Sequence, residues 1–361
     1  MELLYKPDWQ QARKHYLAWW AHECLSRCCL AVTATRRDAP DLPAPPAPDS
    51  IRQKWYDLDL ISRQRQYEMA RTFFGGEALP VWHGGYPGHT AIPTFLGCRV
   101  ELDWETGWWQ PILTAEELDA ASLRMDTGCP DYTFALQLLR RGVREARGKS
   151  LVSVGAFGGG GDTLAALRGA EQLLIDCVER PEQVRRAELF LMDVFGEYYE
   201  TAYRITREAN DGAVCWFGIW APGRHYCAQN DFSYMISPRM FRELFLEAIE
   251  RQTRFLDYTI YHVDGVGAFR HLDALCELPR LQAIQILPGA GKPSPLHYMD
   301  VLKKVQRAGK NLHISIPPEE LPDALAELSA RGLFISTSCR DEDHARQLLR
   351  DAERLSRDRA V

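Results

Sequence analysis

A chain of 361 residues, 46% of them hydrophobic, is long enough to bury a large core, as one big α/β domain or as two smaller ones, and too apolar to stay disordered. Its 43 Lys and Arg are scattered among 49 Asp and Glu, giving a formal net charge of −6, so no basic stripe exists to attract phosphate backbones and nucleic acid is excluded on charge grounds. The opening "MELLYKPDWQQARKHY" lacks an apolar stretch followed by small residues, and no run of about 18 apolar residues occurs, which predicts neither a signal peptide nor a membrane span and points to the cytoplasm.

In chain order, short β-branched and aromatic runs bounded by Gly or Pro alternate with stretches of helical period, the pattern of βα units on a parallel sheet. Residues 1–60 read as an N-terminal helical and Pro-rich extension, including "DAPDLPAPPAPDS", around the first strand "CLAVTA" (29–34). Residues 61–150 read as insertions around "PVWH" (80–83), with "VELDWETGWWQPIL" as an added strand or hairpin. Then follow "LVSVGAF" (151–157), "AVCWFGIW" (213–220), "YTIYHVDG" (258–265), "AIQILPG" (283–289), "LHISIP" (312–317) and "LFISTSC" (333–339). That makes eight strands, the number that closes a parallel (β/α)8 TIM barrel, and the expected fold is α/β with one domain over 1–361. Between the strands, "SPRMFRELFLEAIERQTRFL" offers Ser237 as a cap with Pro238 in the first turn, and "PEELPDALAELSARG" is expected to run to a basic last turn at Arg331 and Gly332. "DEDHARQLLRDAERLSRD" starts acidic, as a closing helix should.

In such a barrel the functional groups gather at the C-terminal strand ends. Those ends carry His83-Gly84-Gly85-Tyr86, "GAFGGGGDT", "GIWAPGRHYCAQNDF", His262 with Asp264, Pro288-Gly289 and Cys339-Arg340. The glycines at 158–161 fit neither G-x-G-x-x-G nor the P-loop, so flexibility or close substrate approach is expected there rather than a phosphate cradle. Ten cysteines lie far apart except Cys24, Cys28 and Cys29, without paired C-x-x-C knuckles, and read mainly as packed free thiols. Trp82, Tyr86, Trp108, Trp109, Trp216, Trp220 and Tyr226 include core residues, with the remainder free to line a pocket for an aromatic ring or to box a quaternary ammonium.

The stretches "GDTLAALRGAEQLLIDCVERPEQV", "DFSYMISPRMFRELFLEAI" and "YHVDGVGAFRHLDALCELPRLQAIQILPGAG" make the chain, best over 151–355, resemble the uroporphyrinogen decarboxylase superfamily of (β/α)8 barrels. That superfamily includes metal-free porphyrinogen decarboxylases and zinc-dependent methyltransferases that work with corrinoid proteins, the methylcobalamin:coenzyme M type among them. The decarboxylases use an Arg-Gln-Ala-Gly-Arg type segment after the first strand, whereas "LPVWHGGYPG" has no arginine, and burying unpaired carboxylates costs several kcal/mol each. The methyltransferases bind zinc through a His-x-Cys and a later Cys; here His262-Val263-Asp264 and Cys339 stand in those places, with oxygen from Asp264 replacing one thiolate. His225-Tyr226-Cys227 also spells the motif, so Cys227 with His262 and Cys339, and Asp264 or water in the last position, is the competing set.

The resemblance implies transfer of a methyl group between a small molecule (a methoxylated aromatic, methylated amine or thiol) and a corrinoid protein, with zinc and cobalamin as cofactors. His262, Asp264 and Arg224 would be catalytic, Trp82, His83, Tyr86, Trp220, Tyr226 and Arg340 would contact substrate, and the two arginines would hold a carboxylate. Homodimers are common in the superfamily. Alternatives are a metal-free carboxy-lyase on a porphyrinogen or small aromatic acid, with His262 or Asp264 as proton donor, and a binding protein that keeps the barrel without the chemistry. The plain readings are a hydrogen-bonded core histidine at 262, a turn-shaping aspartate at 264 and a packed thiol at 339.

Overall fold

The computed structural model describes residues 1–114, 118 and 123–359 as a mixed α/β fold. Among the described residues thirteen strands run in chain order: β1 (Cys29–Thr35), β2 (Thr72–Gly76), β3 (Val81–Trp82), β4 (Arg99–Leu102), β5 (Gly107–Gln110), β6 (Leu151–Val152), β7 (Ala213–Val214), β8 (Trp220–Ala221), β9 (His225–Gln229), β10 (Tyr258–Asp264), β11 (Ala283–Leu287), β12 (Asn311–Ser315) and β13 (Leu333–Ser338). Seven form one sheet in the order β2-β1-β13-β12-β11-β10-β9, parallel throughout except for β2 against β1. β3 pairs in parallel with β6 as a separate ladder, and Val154 N reaches Val214 O at 3.3 Å beside it.

Four expectations change. The fourth strand is not 213–220: that segment is a hairpin, β7 against β8, and the sheet takes His225–Gln229 instead. The strand β2, antiparallel to β1, was not anticipated. The ring of eight does not close by continuous strand pairing among the described residues, because β3 and β6 are only two residues long before the chain turns at Gly85 (φ +72°) and Gly155 (φ +77°). The segment 100–113, expected as an added strand or hairpin, carries the hairpin of β4 and β5, and the Pro-rich segment after β1 carries no helix or strand. The helix expected to reach Arg331 ends at Glu327.

Both faces of the sheet are buried, as in parallel sheets generally. On β10, Tyr261 and Val263 join the layer of helices outside, while Ile260 faces inward with Cys227, Ala283, Cys29 and Phe334. The helix Trp9–Trp20 plugs one end of this inner space with Trp9, Tyr16, Trp19 and Trp20. Trp19 Nε1 donates to Gly332 O (2.9 Å), Asn311 Nδ2 donates to Trp19 O (2.6 Å), and Trp20 packs edge-on against His225 and Tyr258. Those partners stand at the starts of β13, β12, β9 and β10, so the plug seals the N-terminal strand ends and leaves the C-terminal ends open. No described helix is long and apolar enough to cross a membrane.

Candidate active site

Strand register builds the site. His225, Cys227 and Gln229 share one face of β9: the first meets the plug, the second lies in the inner core and the third reaches the open end. Pairing then aligns Gln229, His262, Gln285 and His313 across β9, β10, β11 and β12, one polar row on the inner face above an apolar floor. His262 is 6% exposed, and its Nδ1 donates to Gln285 Oε1 at 2.5 Å, which leaves Nε2 facing Asp264 Oδ2 at 3.8 Å. Asp231, on the turn Asp231–Met235 after β9, supplies a third group: ligand atoms of Asp231, His262 and Asp264 all lie within 4.8 Å of one another.

The turn that carries Asp231 is held on three sides. Asp162, at the start of the helix Gly161–Arg168, accepts from Phe232 N (2.9 Å) and Gln229 Nε2 (3.1 Å), and His271 Nε2 donates to Ser233 O (2.9 Å). Gly161 lets the helix approach closely, since a Cβ there would sit 2.3 Å from Asn230 Oδ1. The hairpin tip Cys215–Ile219 lies over the row, with Trp216 edge-on to His262 (5.3 Å) and Phe217 stacked on His313 (5.3 Å). Beside Trp216 opens a cavity of about 410 Å³ bounded by His83, Tyr86, His89, Gln229, Asp231 and His262. A smaller one of about 210 Å³, bounded by Trp109, Thr90, Gly158 and Asp162, shares His89, Gln229 and Asp231 with it.

Electrostatics suits proton or cation chemistry. The protein crowding around Asp231 lifts its carboxyl to about 7, Asp162's charge adding to the lift and His262 opposing it, although its tip meets solvent. Burial works against the His262 imidazolium, but bonding to Asp264, the charge of Asp231 and the Gln285 bond outweigh it and raise the pKa. Burial lowers His83 to about 4 and His313 to about 3, so both are neutral at neutral pH.

Of the residues singled out from the sequence, His262 and Asp264 come together, and His83 and Tyr86 border the same cavity. Cys227 and Cys339 are not brought to them. Cys227 lies in the inner core paired with Ile260, two residues nearer the plug than Gln229, with burial pushing its thiol well above the usual range. Cys339 faces the outer layer, because Phe334 turns inward and alternation sends Leu333, Ile335 and then Cys339 the other way. Arg224 precedes β9 at the plug end and pairs with Glu200 (2.6 Å), and Arg340 is 82% exposed and pairs with Asp341 (2.9 Å), so neither reaches the cavity. Trp82 packs in the outer layer, Tyr226 does so while its OH accepts from Phe157 N (3.0 Å), and Trp220 belongs to the plug. Sequence reasoning missed Asp231, Gln229, Asp162, Gln285 and His313. Alternation along β9 and β11 was the available signal, and it becomes readable only once the inner face is known.

A second grouping, His15, Cys29 and Glu77, lies buried near the plug. There the Arg27 guanidinium already pairs with both Glu77 oxygens (2.5 and 3.0 Å) and Leu30 N donates to one of them, so the negative charge that would hold a cation is neutralised.

No protein-family profile and no curated protein matches the chain. Among solved structures, a methyltransferase from Methanosarcina mazei superposes with a TM-score of 0.60 over 98% of this chain and 99% of that one, at 12% sequence identity. At that identity the likeness is one of fold, along the full length of both chains.

Proposed function

We propose that this chain is a methyltransferase that moves a methyl group between a small molecule and a corrinoid carried by a partner protein, using zinc held by His262, Asp264 and Asp231. The observation that carries the reading is the convergence of one imidazole nitrogen and two carboxylates at the open strand ends, beside a cavity, on a fold shared with a named methyltransferase. The donor set suits a divalent cation: Nδ1 is committed to Gln285, Nε2 faces the Asp264 carboxylate, and the carboxylates supply the charge. When bound, zinc would polarise the heteroatom that gives up or receives the methyl group. Gln285 would fix the imidazole's tautomer, Trp216 would shield it from bulk water, and His83, neutral, would offer a hydrogen-bond partner without charge. The same reading takes the architecture as a closed barrel of the uroporphyrinogen decarboxylase superfamily, a single domain working in the cytoplasm as a homodimer.

A specific observation favours a second reading. With the Asp231 carboxyl near 7 and the His262 imidazole raised, a metal-free site would hold a shared proton for a carboxy-lyase. Against it, neither expected arginine anchor lies at the cavity. The deciding experiment incubates purified protein with zinc, cob(I)alamin and a panel of methoxylated, N-methyl and S-methyl donors, following methylcobalamin by absorbance. Methyl transfer abolished by His262→Ala and Asp264→Asn supports the first reading. No transfer from any donor, together with CO2 release from an aromatic acid by metal-free protein, replaces it with the second.

A further inference from the structure

We infer that the smaller cavity binds a methylated ammonium group, with Asp162 as counter-ion and the Trp109 ring as wall; under the methyl-transfer reading, on which this rests, that ligand is the methyl donor. The two cavities, which share lining residues, are bounded by Asp162 and Asp231 and by the rings of Tyr86, Trp109 and Trp216, and among the described residues no lysine or arginine lines either. Arg65, whose charge is felt at His83, is paired with Glu68 (2.7 Å). In the smaller cavity a donor bearing a carboxylate or sulfonate would therefore meet the like charge of Asp162 and find no lysine or arginine partner, at a cost of several kcal/mol. A neutral donor would gain nothing from Asp162. A quaternary ammonium gains the ion pair and can also lie against the aromatic lining, since aromatic rings attract cations through their quadrupoles.

Burial raises the Asp162 pKa, an effect that a paired ammonium would oppose. Each of its oxygens accepts one bond, from Phe232 N and Gln229 Nε2, which fixes the carboxylate while leaving each oxygen acceptor capacity. It stands outside the trio of Asp231, His262 and Asp264, so a cation bound by those three leaves Asp162 free to pair with the ligand. Two further polar atoms on these walls are sealed from solvent without a hydrogen-bond partner, Trp216 Nε1 in the larger cavity and Thr90 Oγ1 in the smaller. The glycine run also finds a use here. Gly158 adopts φ +95°, and a Cβ would lie 2.7 Å from Thr90 Oγ1, so only glycine lets the backbone form this side of the smaller cavity.

The test is isothermal titration of the full-length protein, metal-free and zinc-loaded, with choline, its uncharged isostere 3,3-dimethylbutan-1-ol, and 4-methoxybenzoate. Choline should bind at least about tenfold more tightly than the isostere, a difference of about 1.4 kcal/mol, and methoxybenzoate should not bind. Asp162→Asn should erase the preference for choline while leaving the isostere's affinity unchanged, and Trp109→Leu should weaken choline selectively; circular dichroism checks that both variants fold. Binding of methoxybenzoate in preference to choline, or a folded Asp162→Asn protein with undiminished choline affinity, overturns the assignment. The two readings fail separately. Methyl transfer from a methoxybenzoate but from no ammonium donor would sink the cation site and keep the methyltransferase, whereas choline bound through Asp162 with no donor methylating cobalt would keep the site and sink the methyltransferase.

Discussion

Replacing Gln285 by leucine is the sharpest perturbation of the proposed metal centre, because it changes no ligand. His262 and Gln285 are 6% and 7% exposed and joined by a 2.5 Å bond, so Gln285→Leu leaves a buried imidazole N–H without its acceptor and the ring free to turn or change tautomer. Losing such a partner costs about 1–3 kcal/mol, which corresponds to roughly 10–100-fold in zinc affinity, the range found when groups behind metal-bound histidines are removed. Competition titration of zinc against a chromophoric chelator measures the affinity, and nitrogen-15 NMR of the imidazole reports its tautomer. Gln285→Glu is the control: its carboxylate still accepts from Nδ1, so affinity should be retained and the imidazole pKa should rise further. Should folded Gln285→Leu bind zinc within about twofold of the wild type with Nε2 still unprotonated, the claim that β11 orients His262 is refuted.

Gly161→Ala would drive a methyl group into Asn230, and the turn carrying Asp231 must shift; about 1–3 kcal/mol of stability should go by urea titration, together with loss of zinc binding. Glu77→Ala leaves Arg27 buried without its bidentate partner, so unfolding free energy should fall by about 3–5 kcal/mol while the metal centre's ligands stay in place. His225, sealed as neutral imidazole with its pKa lowered to about 4 by burial, contributes stability above pH 6.5 that is lost as pH falls toward 4. That contribution is about 3 kcal/mol, and His225→Asn should flatten the acid limb of the urea midpoint between those pH values.

The sequence by itself determined which segments are strands wherever a β-branched and aromatic run was bounded by Gly or Pro, as at β10, β11 and β13, and it marked the β4–β5 hairpin and the polar tip at His262 and Asp264. Only the tertiary structure decided which face of each strand looks inward. In a parallel sheet covered on both sides, alternation separates two faces without distinguishing them, so Cys339 and Gln285 were equally eligible in the sequence although one faces the helices and the other the site. The fourth strand escaped for the same reason: "AVCWFGIW" is apolar throughout, but Gly218 at φ +86° folds it into a hairpin and hands the sheet position to His225–Gln229. Asp231 reached the site through a turn packed against Gly161, about seventy positions away in the chain, and Trp9, Trp19, Trp20 and Trp220 found their role at a plug formed between the N-terminal helix and strand starts far along the sequence. Local propensity encodes the elements; contacts between residues far apart in the chain choose their partners, and here those contacts made the site.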